Sequence, residues 1–145
     1  MELNPYHGLG VITFGMPRSE VIKLLGEPSD RFRKGVSATI LTDEYSTLGM
    51  HIYFDVSDLV DYLDVFEPCD IQYEGIQLVG RPPMEVLDEL SSLGIEYFEA
   101  RPSFIVTRLG VALYAPGVDA EGDLIEGVGI FKSHKEITAV YPYPK

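Results

Sequence analysis

Residues 10–25, GVITFGMPRSEVIKLL, align without gaps on residues 75–90, GIQLVGRPPMEVLDEL, and this internal repeat constrains the fold more than any other feature. Six of the sixteen positions are identical: Gly10/Gly75, Gly15/Gly80, Pro17/Pro82, Glu20/Glu85, Val21/Val86 and Leu25/Leu90. Two more blocks follow in the same order in both halves. LGMHIY (48–53) matches LGVALY (109–114), and DLVDYLDVFEP (58–68) matches DLIEGVGIFKS (123–133). One short match could be chance, but three in order predict a unit used twice, over 1–70 and 71–145, in one compact whole.

Each block has a physical reading. A short extended run (VITF; IQLV) leads to a glycine and then to a proline near the first helical turn, where its missing N–H would be unpaired anyway. Apolar residues then follow helical spacing, Val21, Leu24 and Leu25 in the first copy and Val86, Leu87, Leu90 and Leu93 in the second. Gly26 and Gly94 suit left-handed C-terminal caps, and Glu20 and Glu85 sit where the helix dipole favours an anion. The predicted helices span about 17–25 and about 82–93. Strand patterns follow over about 38–67 and about 96–132, with a tight hairpin at DVSD (55–58) and a longer one at PGVDAEGD (116–123). ITAVYPYPK (137–145) reads as a final strand and a Pro-stiffened tail. The predicted class is α+β, two tandem repeats, each a short helix packed on a three- to four-stranded antiparallel sheet.

A single helix layer leaves one sheet face open, and alternation assigns the sides. Met50, Ile52 and Phe54 are expected toward the helix with Val111, Leu113 and Ala115, and Leu59, Leu63 and Val65 with Leu124, Val128 and Ile130. The outward face of the first copy then collects His51, Tyr53, Val60, Tyr62, Asp64 and Phe66. Its counterparts in the second copy are Ala112, Tyr114, Ile125, Gly127, Gly129 and Phe131, so aromatic and acidic side chains face glycine and alanine. Glu44 is outward only if Phe104 and Val106 are inward. Aromatic anchors beside charge are what protein interfaces favour, although the same rings would also pack on one another if the sheets curved or dimerised.

The net charge of −12 argues against a nucleic-acid partner, whose phosphates need a basic surface. Lys and Arg are absent from Gly35 to Gly80, a stretch with nine carboxylates, including Glu44, Asp58, Asp61 and Asp64. Such a run is commonly a solvated face, but here it coincides with the aromatic one. The expected partner-binding residues are therefore His51, Tyr53, Tyr62, Asp64, Phe66, Glu44, Asp58 and Asp61. No apolar run approaches the ~20 residues of a membrane span, and MELNPYH has no secretory character, so a cytoplasmic chain without a membrane partner is expected. The single Cys69 excludes an internal disulfide. Asp55-Val-Ser-Asp58 lacks the glycine and terminal glutamate of a calcium loop, and His7, His51 and His134 follow no ligand spacing. With no nucleophile or phosphate-loop motif either, neither a cofactor, a metal nor catalysis is expected.

GVITFGMPRSEVIKLLGEP (10–28) resembles the helix-start motif of small bacterial domains of the barrel-assembly lipoprotein class, an apolar pair, Gly-Met, a polar residue, Glu-Val and Leu-Leu-Gly-x-Pro. The tandem arrangement looks like the β-lactamase inhibitory protein architecture, in which two helix-plus-sheet repeats present a concave sheet to a target. Small acidic binding proteins of this kind also resemble the immunity proteins of bacterial toxin systems. These resemblances imply a non-enzymatic module that occludes the active site of a basic toxin. The alternatives are a cytoplasmic self-associating scaffold domain and a small-ligand binder using the cleft between repeats; the chain is expected to be a monomer or a homodimer.

Overall fold

The computed structural model describes residues 1–117 and 122–144. Short hairpins come first: β1 (Leu3–Asn4), β2 (Gly8–Leu9) and β3 (Ile12–Thr13) form a small antiparallel sheet. Pro17, in an extended conformation, precedes α1 (Arg18–Leu25), which ends where Gly26 turns to φ 83° and donates its N–H to the Ile22 carbonyl. Then follow β4 (Asp30–Arg33), β5 (Leu41–Tyr45), β6 (Met50–Phe54) and β7 (Val60–Phe66). The hairpin β8 (Gln72–Tyr73) and β9 (Ile76–Gln77) leads to α2 (Pro83–Ser92), with proline inside its first turn. The strands β10 (Phe98–Ala100), β11 (Ser103–Val106), β12 (Val111–Tyr114) and β13 (Gly127–Phe131) precede α3 (His134–Val140).

The class is α+β. Eight strands form one antiparallel sheet in the order β10-β11-β12-β13-β7-β6-β5-β4. Two meanders thus meet at their last strands, β7 and β13, with Asp64 opposite Gly129. On one face a continuous apolar cluster joins Val21 of α1 and Val86, Leu87 and Leu90 of α2 to the sheet. The sheet contributes Met50, Ile52 and Phe54, then Leu63 and Val65, and from the second meander Val111, Leu113, Val128 and Ile130. Burying an aliphatic side chain of this size stabilises by about 1.5–3 kcal/mol, so this layer is the main source of stability. A smaller cluster on the opposite face holds Ile105, Ala112 and Phe131 under Ile137 of α3. Among the described residues no helix is long and apolar enough to cross a membrane.

Several expectations are corrected. The described part of ITAVYPYPK is not a final strand: residues 137–140 lie in α3, and no strand follows among the described residues. Ser133 caps that helix, accepting the Glu136 N–H at 3.2 Å, and Ser133-His-Lys-Glu136 has the spacing of a capping box. Val60 faces the core at 1% exposure, because the β6–β7 register shifts and leaves Asp61 as an unpaired extra residue. Its counterpart Ile125 is also buried while Leu124 is exposed, since β13 begins only at Gly127 and the alternation does not reach them. Leu24 and Leu93 lie outside the buried helix stripes, exposed on the first helix and at the end of the second. Of the two edge strands, β10 falls inside the expected strand range of about 96–132, whereas β4 lies outside that of about 38–67. Of the hairpin expected at 116–123, residues 118–121 lie outside the described residues.

Candidate functional site

The sheet face opposite α1 and α2 has a row defined by strand register: Glu44, His51, Asp64, Gly129, Ala112 and Ile105 on successive strands. Glu44 therefore points outward, and Phe104 and Val106 lie in the main core, as its condition required. A neighbouring row carries Tyr53, Tyr62 and Phe131. Alternation places these groups on one side because β6, β7 and β13 bury their other side against the helices.

Asp64 is the centre. The Tyr62 hydroxyl donates to its Oδ1 at 2.8 Å and the Tyr53 hydroxyl to its Oδ2 at 3.0 Å. Burial first, and then the Asp64 carboxylate, push both phenol pKa values well above the usual tyrosine value, so both remain protonated donors. Beside them His51 Nε2 lies 2.7 Å from Glu44 Oε2. The imidazole stands edge-on between Phe32 and Phe66, with ring centroids 5.0 and 4.8 Å away. Tyr62 packs between Tyr53 and Phe131 at 5.3 and 5.1 Å, and Phe131 touches Tyr141 at 6.2 Å. The rings form two runs on this face, Phe32–His51–Phe66 and Tyr53–Tyr62–Phe131–Tyr141. The Lys34 ammonium lies over two of them, 4.7 Å from the Tyr53 centroid and 5.5 Å from that of Tyr62.

The two glycines of β13 differ in role. A Cβ on Gly129 would stand 2.1 Å from the Tyr62 hydroxyl oxygen, so this glycine admits the tyrosine. A Cβ on Gly127 would meet only the Val65 carbonyl oxygen, at 3.4 Å, and its place is open. The opening is a groove of about 510 Å³ along the β7–β13 seam. Its floor includes Gly127, Gly129 and Ala112; His51, Phe66, Tyr114 and Tyr141 stand around it. Among the described residues Asp64 and Glu126 are its carboxylates, and no Lys or Arg lines it.

Of the expected partner-binding residues, His51, Tyr53, Tyr62, Asp64, Phe66 and Glu44 are brought together. Asp61 lies at the margin, where the bulge pairs it with the Lys132 ammonium. Asp58 is elsewhere: its carboxylate receives Arg18 Nε at 2.8 Å, beside the N-terminus of α1. That arginine also pairs with Asp43, whose side chain is fully buried and which Arg31 Nε reaches at 3.1 Å. Sequence reasoning missed Phe32, Lys34, Glu126 and Tyr141. Only the Tyr141 neighbourhood carried a signal, the capping box that starts α3. Among the described residues no three His, Cys, Asp or Glu side chains converge as a metal site. Cys69 is buried, which pushes its thiol pKa up. No family model, curated protein or solved structure matches the chain.

Proposed function

We propose that this chain is a non-enzymatic protein-binding module built from two copies of one helix-plus-sheet unit, and that it acts as an immunity-type inhibitor of a basic toxin. The duplication is supported by backbone bonds that recur 65 residues apart. Gly15 N–H donates to the Val60 carbonyl and Gly80 N–H to the Ile125 carbonyl, both at 2.9 Å. Asp64 and Gly129, equivalent in the alignment, are cross-strand partners, the register expected of two strands related by a twofold axis.

The binding role rests on one observation: α3 covers the second meander's outer face, whereas the acidic, ring-lined part of the first meander stays partly open to solvent. Occlusion of an active site by this face needs no chemistry from the chain. Acidic residues raise the encounter rate with a cationic surface, and rigid rings hold the complex. The test is co-expression with the product of the adjacent gene. Growth arrest by that product alone, relieved by this chain but not by a Phe66→Asp variant that still folds, is the expected outcome. Normal growth with the neighbour alone removes the toxin from the proposal.

A second reading, a small-ligand binder, is favoured by the groove's volume, which falls within the ~300–1,000 Å³ range of ligand sites. It predicts a rise in melting temperature with some metabolite, and a flat screen counts against it.

A further inference from the structure

Resting on the basic-partner reading, the geometry points to a specific occupant of the seam groove: a single arginine side chain of the partner protein. Four observations carry this. Among the described residues the groove's charged lining groups are carboxylates, Asp64 and Glu126, with no Lys or Arg to compete, and His51 is already paired with Glu44. Its sides include the rings of Phe66, Tyr114 and Tyr141, and a planar guanidinium stacks on ring faces more readily than an ammonium does. The Asp64 oxygens each accept one tyrosine hydroxyl, and a carboxylate oxygen has a second lone pair for a further donor. Finally, the same face already holds a cation: Lys34 lies over Tyr53 and Tyr62. Tyrosines that donate to a carboxylate have electron-richer rings, which strengthens attraction for a positive group.

Glycine at 127 is what makes the socket. Its φ is ordinary and its missing Cβ would meet only one carbonyl oxygen at van der Waals distance, so folding alone does not require glycine there. A side chain at this position fills the floor without disturbing the Tyr62–Asp64 pair.

The experiment titrates the isotope-labelled protein with a hexa-arginine peptide, using hexacitrulline, which keeps the shape and lacks the charge, as control. The expected result is saturable shifts of the Gly127, Gly129 and Ala112 amides with arginine and none with citrulline. Gly127→Val and, separately, Glu126→Gln should each weaken binding, the first by roughly tenfold, with melting temperatures not lowered. Glu126→Gln leaves the backbone untouched and decides the matter if Gly127→Val fails to fold. Shifts confined to other acidic positions, or equal affinity in folded variants, would overturn the socket and leave the basic-partner reading standing. Absence of hexa-arginine binding anywhere would overturn both.

Discussion

Replacing Gly129 by alanine tests whether the Tyr62–Asp64 arrangement is as tightly built as the geometry indicates. The new Cβ would lie 2.1 Å from the Tyr62 hydroxyl oxygen and 3.2 Å from Cζ. The hydroxyl must retreat by roughly 1 Å to reach ordinary contact, which breaks its 2.8 Å bond to Asp64. A hydrogen bond to a charged acceptor contributes about 1.5–3 kcal/mol. Asp64 is half-buried and keeps the Tyr53 donor, so the lower part of that range applies. Against it, alanine in a strand gains about 0.5–1 kcal/mol over glycine through the unfolded state. The net expectation is a loss of about 1 kcal/mol for Gly129→Ala, and of about 1–2 kcal/mol for Tyr62→Phe. With the hydroxyl gone the clash is nearly gone, so Gly129→Ala in the Tyr62→Phe background should be neutral or stabilising by about 0.5 kcal/mol. Urea unfolding of the four proteins, followed by far-ultraviolet circular dichroism, gives the coupling. Costs that add to within about 0.5 kcal/mol would show that Tyr62 moves freely and that the glycine has no such role.

Other perturbations probe the rest of the frame. Arg18→Leu leaves the fully buried Asp43 carboxylate with Arg31 alone and should cost about 3 kcal/mol in chemical denaturation, most of which Arg18→Leu/Asp43→Leu recovers. Leu63→Ala, in the main core under the helices, should cost about 2–5 kcal/mol in the same assay. Tyr53 and Tyr62 have folded-state pKa values above the unfolded value, so their contribution is complete below about pH 10 and is lost as pH rises beyond it. Stability should therefore fall on the alkaline side, less steeply in Tyr62→Phe, and tyrosinate absorbance should show these two phenols ionising only on unfolding.

The elements legible from residues alone are those fixed by local chemistry. α1 and α2 begin and end within a residue of expectation because proline and glycine act at single positions. The faces of His51, Tyr53, Tyr62 and Asp64 were readable because each alternates with a fully buried neighbour. Val60 and Ile125, expected outward, are both buried, because a bulge and a late strand start change the parity that alternation assumes. The DRFR strand has no apolar alternation to detect, because β4 is a sheet edge. The final helix was masked by β-branched and aromatic residues whose preference the Ser133 cap and burial of Ile137 override. Asp58 shows the limit of charge runs, since proximity in sequence to Asp61 and Asp64 says nothing of the turn that carries it to Arg18.

The polar groups of the open face already satisfy one another, Tyr53 and Tyr62 on Asp64 and His51 on Glu44, and the rings between them are in edge-to-face contact. Under the proposed binding role such a surface would lose little side-chain freedom on docking, so its rings and carboxylates would contribute with little offset from ordering. The exposed carboxylates of the 35–80 stretch would act differently under that role, at distances that salt screens within about 10 Å at 0.1 M. The two roles separate kinetically for any basic partner of this face. Raising ionic strength should slow association markedly while changing dissociation little, and Phe66→Ala should do the reverse. Surface plasmon resonance at several salt concentrations reads both rates. If salt acted mainly on dissociation, the long-range charges would be part of the contact itself, and the division between steering acids and anchoring rings would not hold.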